Sequence, residues 1–358
     1  MNKRVPGFTI LMTTYKRPEL LKIALASVLQ QTYRNFEIVL IDDASRDDTR
    51  KVVTQFADPR IVYIENKKNC GFPENFKKGI QKAIGTYIFL LSDDDLILKP
   101  TTLAVAYKKM QETKSWYGQT GLFFYEDSFD NLPSLLPSPG IMKTVVIKPS
   151  PKILFQTRHW HFGFASGNIY RRDAINLDDI ENDVWFAHVK PIYRLMLARG
   201  AVYFGDYPVV GRISKSGNVS YLDISVNKQF HMQKLLSLYQ EYDSSSTRFS
   251  AYKKMHITDG AIKNFPGIKL YTSNQNVVKT VQSIISFAPE YRFNLQLWFY
   301  AIMALITPKF ILSTVRSVLL ARGTDHIKPL LRSIQYQRYL DTLLQFTHRY
   351  AARRIKTA

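Results

Sequence analysis

Asp93, Asp94 and Asp95 stand side by side just after the apolar run Tyr87-Ile88-Phe89-Leu90-Leu91, and Pro100 closes the segment. Neighbouring carboxylates raise one another's pKa and resist joint ionisation, so three in a row call for a cation. Hard divalent metals take oxygen ligands, usually one or two carboxylates completed by the phosphates of a substrate. The cluster therefore fits a metal-diphosphate site, with Mg2+ or Mn2+ as the cofactor and Asp93 and Asp95 as its ligands. A solvated acidic turn is the plain alternative for a bare Asp-Asp-Asp, and the segments upstream count against it.

An apolar run of this kind reads as a buried parallel strand, which places the carboxylates at its carboxyl end. Residues 8–13, 36–41, 61–64 and 86–91 read as four strands. Between them lie helical patterns: one opened by Pro18 and running through Leu21, Leu25, Val28 and Leu29, one starting at Asp47-Asp48-Thr49, and one over 74–84. Strands alternating with helices predict an α/β fold with a doubly wound, mostly parallel sheet. Ligands bind such sheets beyond the carboxyl ends of the strands. Residues 13–17, 42–45 and 93–95 all fall at those ends, where one crevice can hold them.

Beyond residue 100 the pattern loosens. A helix is expected over 101–113, a strand near 122–125, a Pro- and Ser-rich loop over 128–151, a helix over 184–199 and strands near 201–213. From about 225 everything reads as helical. The expected division is a catalytic domain over 1–224 and an all-helical extension over 225–358. With 358 residues, 46% of them apolar, the chain can bury a sizeable core, and one cysteine, Cys70, excludes an internal disulfide framework. The N-terminus shows only a short apolar run before charge and proline return, so no leader peptide is expected.

The pieces TTYKRPELL, SVLQQTYRNFEIVLIDDAS, NCGFPENFKKGI and GTYIFLLSDDDLILKP follow one another at strand-helix spacing. In that order they resemble the family 2 glycosyltransferases, whose nucleotide-sugar domain has the glycosyltransferase-A fold. NCGFPENF, LLSDDD, GFASGNIYRRDAI and VVGRISKSGNVSYL are closest in wording to the abequosyltransferase-like branch that builds bacterial O-antigen side groups. The resemblance implies that Thr13, Tyr15 and Arg17 line the base and ribose pocket, that Asp43 accepts a hydrogen bond from the base, and that Asn75 touches the nucleotide. It also implies that Asp93 and Asp95 are the outer positions of a DxD motif, with Asp94 on ribose or sugar. Arg212 and Lys215 can add positive charge from a loop. Taken singly, each has a duller reading: Tyr15 and Arg17 at a helix start, Asp43 capping the next turn, Arg212 as a surface cation.

Family 2 enzymes invert, so the resemblance implies one displacement at the anomeric carbon and a base for the acceptor hydroxyl. Many members carry Glu-Asp about eleven residues before an Arg-Gly such as Arg199-Gly200. Here that register falls on His188-Val189, and the carboxylates, Asp178, Asp179, Glu181 and Asp183, lie earlier. Asp183 or His188 is the expected base, against a helix-start acid and a satisfied histidine. His159-Trp160-His161 suits stacking on an acceptor sugar, with Trp160 as the contact.

The net charge of +20 is concentrated in residues 251–358, which hold 16 Lys or Arg against 4 Asp or Glu. Residues 295–306 are apolar but too short to span a bilayer. Residues 308–322 and 332–354 carry apolar faces bordered by Lys309, Arg316, Arg322 and further arginines, which suits an interfacial helix on anionic lipid. Packing on the catalytic domain or on another copy of the chain is the alternative. The expected function is an inverting, metal-dependent transfer of sugar from a nucleotide-sugar donor to a glycan or polyprenyl-diphosphate-linked acceptor, at the cytoplasmic face of the membrane. A basic nucleic-acid binder would show stacking aromatics interleaved with basic residues in a groove, and a nucleotidyltransferase would show a Gly-rich phosphate loop; neither pattern is present.

Overall fold

The computed structural model describes residues 5–126, 136–137, 143–157, 162–182, 187–213, 236–271 and 273–315. Its described residues fall into two compact units. One holds residues up to Tyr125 and from Pro137 to Arg212; the other takes in Glu126, Leu136 and the described residues from Ile213 to Val315. The expected boundary at 224 itself lies outside the described residues.

In the first unit the strands are β1 (Phe8–Thr14), β2 (Phe36–Asp42), β3 (Ile61–Glu65), β4 (Tyr87–Leu90), β5 (Leu96–Ile97), β6 (Tyr117–Glu126), β7 (Leu136–Pro137), β8 (Thr144–Ile147), β9 (Asn168–Arg171) and β10 (Ala201–Ile213). The helices are α1 (Pro18–Leu29), α2 (Thr49–Phe56), α3 (Gly71–Lys82), α4 (Thr102–Thr113), α5 (Ile153–Gln156) and α6 (Val189–Arg199). The sheet runs β3-β2-β1-β4-β9-β6-β10-β5, with β8 beside β10. Its first four strands are parallel. β9 joins β4 and β6 antiparallel, and β5 and β8 join β10 the same way.

β1, β2 and β4 are buried along nearly their whole length, as parallel strands covered on both faces should be. α1 places Leu21, Ala24, Leu25, Val28 and Leu29 against Phe8, Ile10, Leu40 and Phe89 in one continuous core. Each large side chain so buried contributes about 1.5–3 kcal/mol. The chain leaves β1 toward β2 on one side and returns through β4 on the other. The order therefore reverses between β1 and β4, the place where such sheets take their ligands.

Four elements differ from the sequence expectation: α6 starts at Val189 rather than 184, β8 (Thr144–Ile147) lies inside the expected loop over 128–151, and α3 and β6 start earlier than expected. α3 starts at Gly71 rather than 74, because Gly71 adopts φ +80 and its N–H turns toward a carboxylate of another strand. β6 starts at Tyr117 rather than 122, since Tyr117, Gly118 and Gln119 pair with Tyr170, Ile169 and Asn168; Gly118, Gln119 and Thr120 break the apolar alternation that marks a strand. In the second unit, helices Ser246–Lys254, Phe265–Tyr271, Asn274–Phe287 and Leu295–Ile306 surround a core of Ile257, Ile262, Phe265, Val277, Ile284, Leu297 and Ala301, as the helical reading of the tail expects.

Candidate active site

Three strand ends are stitched together beside the switch point. The Asp43 N–H donates to the Thr14 carbonyl at 2.9 Å, and the Asn66 N–H donates to the Asp42 carbonyl at 2.8 Å, which aligns the ends of β1, β2 and β3. The Lys16 N–H reaches across to Ser45 Oγ at 2.9 Å. Lys16, Ala44 and Arg46 all hold positive φ, 56°, 65° and 58°. A left-handed conformation costs a residue with a Cβ about 1–2 kcal/mol and tends to concentrate at functional sites.

The first cluster joins β1 to β4. Thr14 Oγ1 donates to Asp93 Oδ2 at 2.7 Å. Arg17 Nη1 lies 3.3 Å from Asp93 Oδ1 and 3.0 Å from Asp94 Oδ2. Asp95 points the other way. It accepts a hydrogen bond from the Ser166 hydroxyl and another from the Arg212 N–H at 3.1 Å, while Arg212 Nε sits 3.9 Å from Asp94 Oδ2. Ser166 is placed by its own acceptance of the Ser92 N–H at 2.8 Å and by Gly167, whose N–H donates to the Leu90 carbonyl. Gly167 has φ +82, and a Cβ there would meet Thr120 Oγ1 at 2.1 Å, so the turn that aims Ser166 requires glycine.

Asp93 and Asp95 are only 4% and 3% exposed. Burial first, and then the charge of Asp94, push Asp93 up to about 7, against the pull of Arg17 and Thr14. Asp95 rises well above the carboxylate range for the same two reasons, in the same order. Folding therefore takes up protons at this site. Its contribution to stability is full below the ordinary carboxylate pKa and is lost as pH rises through the raised values. The melting temperature should accordingly fall between pH 5.5 and pH 8, and the double variant Asp93→Asn/Asp95→Asn should flatten that slope. An unchanged slope in differential scanning fluorimetry would rule the shift out.

The second cluster surrounds Asp43. Its Oδ1 accepts from Asn66 Nδ2 at 2.9 Å and the Cys70 N–H at 2.8 Å, and its Oδ2 accepts from the Gly71 N–H at 2.9 Å. Asn66 Nδ2 also meets Asn75 Oδ1 at 2.7 Å, and Lys78 Nζ donates to Asn66 Oδ1 at 2.6 Å. Burial pushes the Asp43 carboxyl up, but the Cys70 N–H, Asn66 and the Gly71 N–H outweigh it and hold the group below its ordinary value. Asp43 thus caps the start of α3 from a distant strand. The turn-capping role that the plainer sequence reading gives to Asp43 falls to Asp42, which accepts from the Ser45 N–H and hydroxyl.

Of the residues singled out in sequence, Arg17, Asp43, Asn75, Asp93, Asp94, Asp95 and Arg212 fall into these two clusters. Thr13 is half-buried at the same edge and Tyr15 is exposed beside it, with Lys16 Nζ 5.2 Å from its ring. His188 is 1% exposed; its Nε2 donates to the Phe162 carbonyl at 2.7 Å and its ring meets Phe72 edge to face. With Nε2 committed as donor, only Nδ1 is left to take a proton. Trp160, Asp183 and Lys215 lie outside the described residues. Thr14, Ser166 and Asn66 are added by the structure. Thr14 and Ser166 lie inside the quoted segments TTYKRPELL and GFASGNIYRRDAI, but only the register of β1, β4 and β9 reveals that they hold Asp93 and Asp95.

Among the described residues no three His, Cys, Asp or Glu side chains converge as a closed metal cage requires. Two guanidiniums already offset two of the three carboxylate charges. What remains fits a site completed by a substrate: two buried carboxylates with oxygen lone pairs to spare.

The family model described as Glycosyl transferase family 2 matches residues 9–177. The putative colanic acid biosynthesis glycosyl transferase WcaA of Escherichia coli strain K12 is 31% identical over 159 residues, 44% of this chain and 55% of that protein. The chain thus spans about half the length of that curated relative. Staphylococcus aureus TarS 1-349 in complex with UDP-GlcNAc is similar in structure with TM-score 0.58 and 15% identity, over 87% of this chain and 92% of that one. The mannosyltransferase PcManGT from Pyrobaculum calidifontis, in complex with GDP-Man and Mn2+, matches with TM-score 0.52 and 15% identity over 98% and 88%. At such identity these two likenesses concern the fold alone, and it is the glycosyltransferase-A type.

Proposed function

We propose that the chain, whose residues 9–177 match the family 2 glycosyltransferase model, transfers a sugar, with inversion, from a nucleotide-sugar donor to a cell-surface or lipid-linked glycan. The observation that carries this reading is the joining of Thr14, Arg17, Asp93, Asp94, Asp95 and Arg212 at the reversal of strand order between β1 and β4. The likeness to WcaA, a putative colanic acid biosynthesis glycosyl transferase, supports a surface polysaccharide as the product.

In this reading Asp43, Asn66 and the start of α3 form a rigid floor for the base, with Thr13 and Tyr15 beside it. Arg17 and Arg212 face the phosphates, where guanidiniums stabilise charge as it develops. When bound, Mg2+ or Mn2+ held by Asp93 and Asp95 would supply Lewis-acid neutralisation of the diphosphate. The acceptor oxygen forms its bond to the anomeric carbon as the bond to the diphosphate oxygen breaks. The acceptor proton passes to a base, and Asp183 and His188 remain the two candidates. Replacing Asp183 by Asn and His188 by Ala is expected to abolish transfer in one of them with donor affinity retained. Normal turnover in both would place the base elsewhere.

The deciding experiment is a thermal-shift screen of nucleoside diphosphates and their sugars, with and without Mn2+. A ligand at a hundred times its Kd stabilises by about 2.7 kcal/mol. A saturable shift for one nucleotide class, larger with Mn2+, is expected. No shift with any nucleotide would overturn the reading.

A further inference from the structure

Apart from the exposed Gln296, helix Leu295–Ile306 is apolar around its circumference, yet only one stripe of it is fully buried. Leu297, Ala301 and Ala304 face the core of the second unit, spaced three and four residues apart. The rest of the circumference carries Leu295, Trp298, Phe299, Ile302 and Ile306, all exposed, with Leu295 at 86% and Ile306 at 66%. The chain then turns by 115° into helix Lys309–Val315, which exposes Phe310 at 72%. A helix that is hydrophobic all round belongs in a large core or in lipid. No helix among the described residues is long and apolar enough to cross a bilayer alone, and the sharp bend keeps this pair from acting as one straight span.

Along the chain, the charge that follows Glu290 has one sign. From Tyr291 to Thr324 the sequence contains no Asp or Glu, while Arg292, Lys309, Arg316 and Arg322 fall within it. Cations interspersed in sequence with aromatic and aliphatic residues match an anionic headgroup layer. Trp298 turns its indole N–H to the Arg292 carbonyl at 2.6 Å, which leaves its ring rather than a polar tip for the outer face. We propose that Leu295, Trp298, Phe299, Ile302, Ile306 and Phe310 form a surface that inserts shallowly into an anionic bilayer and holds the enzyme at the membrane. The inference stands on these residues and does not depend on the sugar-transfer reading, although a lipid-linked acceptor would be met there.

The test uses the full chain and flotation with phosphatidylcholine vesicles, with and without phosphatidylglycerol. The parent should float with the phosphatidylglycerol vesicles, and Phe299→Glu/Ile302→Glu, at exposed positions, should lose about tenfold or more of that binding. Trp298 emission should shift to the blue with vesicles in the parent, read against Trp298→Phe. Nucleotide-induced thermal shift is measured in parallel; the double variant should keep whatever shift the parent shows, so a failed donor reading remains separate. Equal vesicle binding by parent and double variant would overturn the proposal, as would absence of binding by the parent. A parent dimer that the double variant converts to monomer, with no vesicle binding, would assign the face to a second copy instead.

Discussion

Asp95→Asn should lower sugar transfer by about 10²–10³-fold, the scale on which transfer sites depend on neutralising developing charge, here through the divalent ion that Asp95 would help hold. The same substitution should leave the protein as stable as the parent, or more stable, at pH 8. At that pH the parent holds a buried carboxylate beside Asp94 whose ionisation folding disfavours. Asparagine removes the charge but keeps an oxygen for the Arg212 N–H, and its amide can donate to Ser166 Oγ in place of accepting from it. Activity and stability thus move in opposite directions, which a merely structural aspartate would not produce. Transfer rates with a responsive nucleotide sugar and melting curves at pH 8 check both. Undiminished transfer would remove Asp95 from the reaction, and a large fall in melting temperature would mean its role is to hold the β4 end together.

Asp43→Ala should fail in the other way, losing stability and donor affinity together. Three donors, the Cys70 and Gly71 N–H groups and Asn66 Nδ2, converge on this one carboxylate. A buried donor left without a partner costs about 1–3 kcal/mol, so a loss of about 3 kcal/mol or more is expected after partial relaxation. Nucleotide affinity should fall at least about tenfold, since the start of α3 and the loop before it lose their anchor to β2. Because the Asp43 pKa is depressed, its contribution is present above the ordinary carboxylate range and is lost only as pH falls through the lowered value. The defect should therefore be constant from pH 5.5 to pH 8, unlike the slope produced by Asp93 and Asp95. Urea unfolding at the two pH values and nucleotide titration would expose either error: a stability change within a few tenths of a kcal/mol, or full affinity.

The parallel half of the sheet was legible because its strands are apolar on both faces and end in polar residues at regular spacing. β1, β2, β3 and β4 match the expected segments within one or two residues. The antiparallel half was harder. β6 begins in Tyr-Gly-Gln-Thr-Gly, where burial arises from β9 and not from local apolarity. The start of α3 was missed because its cap, Asp43, lies 28 residues before Gly71, and no local capping pattern marks it. His188 shows the same limit from the other side: chain register marked it as a base, while its contact with the Phe162 carbonyl is a packing relation across 26 residues.

By itself the sequence determined the run of parallel strands and the clustering of carboxylates at the end of one of them, since charge after a buried strand is a local pattern of polarity and apolarity. Tertiary structure alone decided which aspartate does what. Asp93 turns to Thr14 and Arg17, Asp95 turns to Ser166 and Arg212, and Asp43 caps a helix, because each orientation follows from hydrogen-bond donors that arrive from strands and loops distant in the chain.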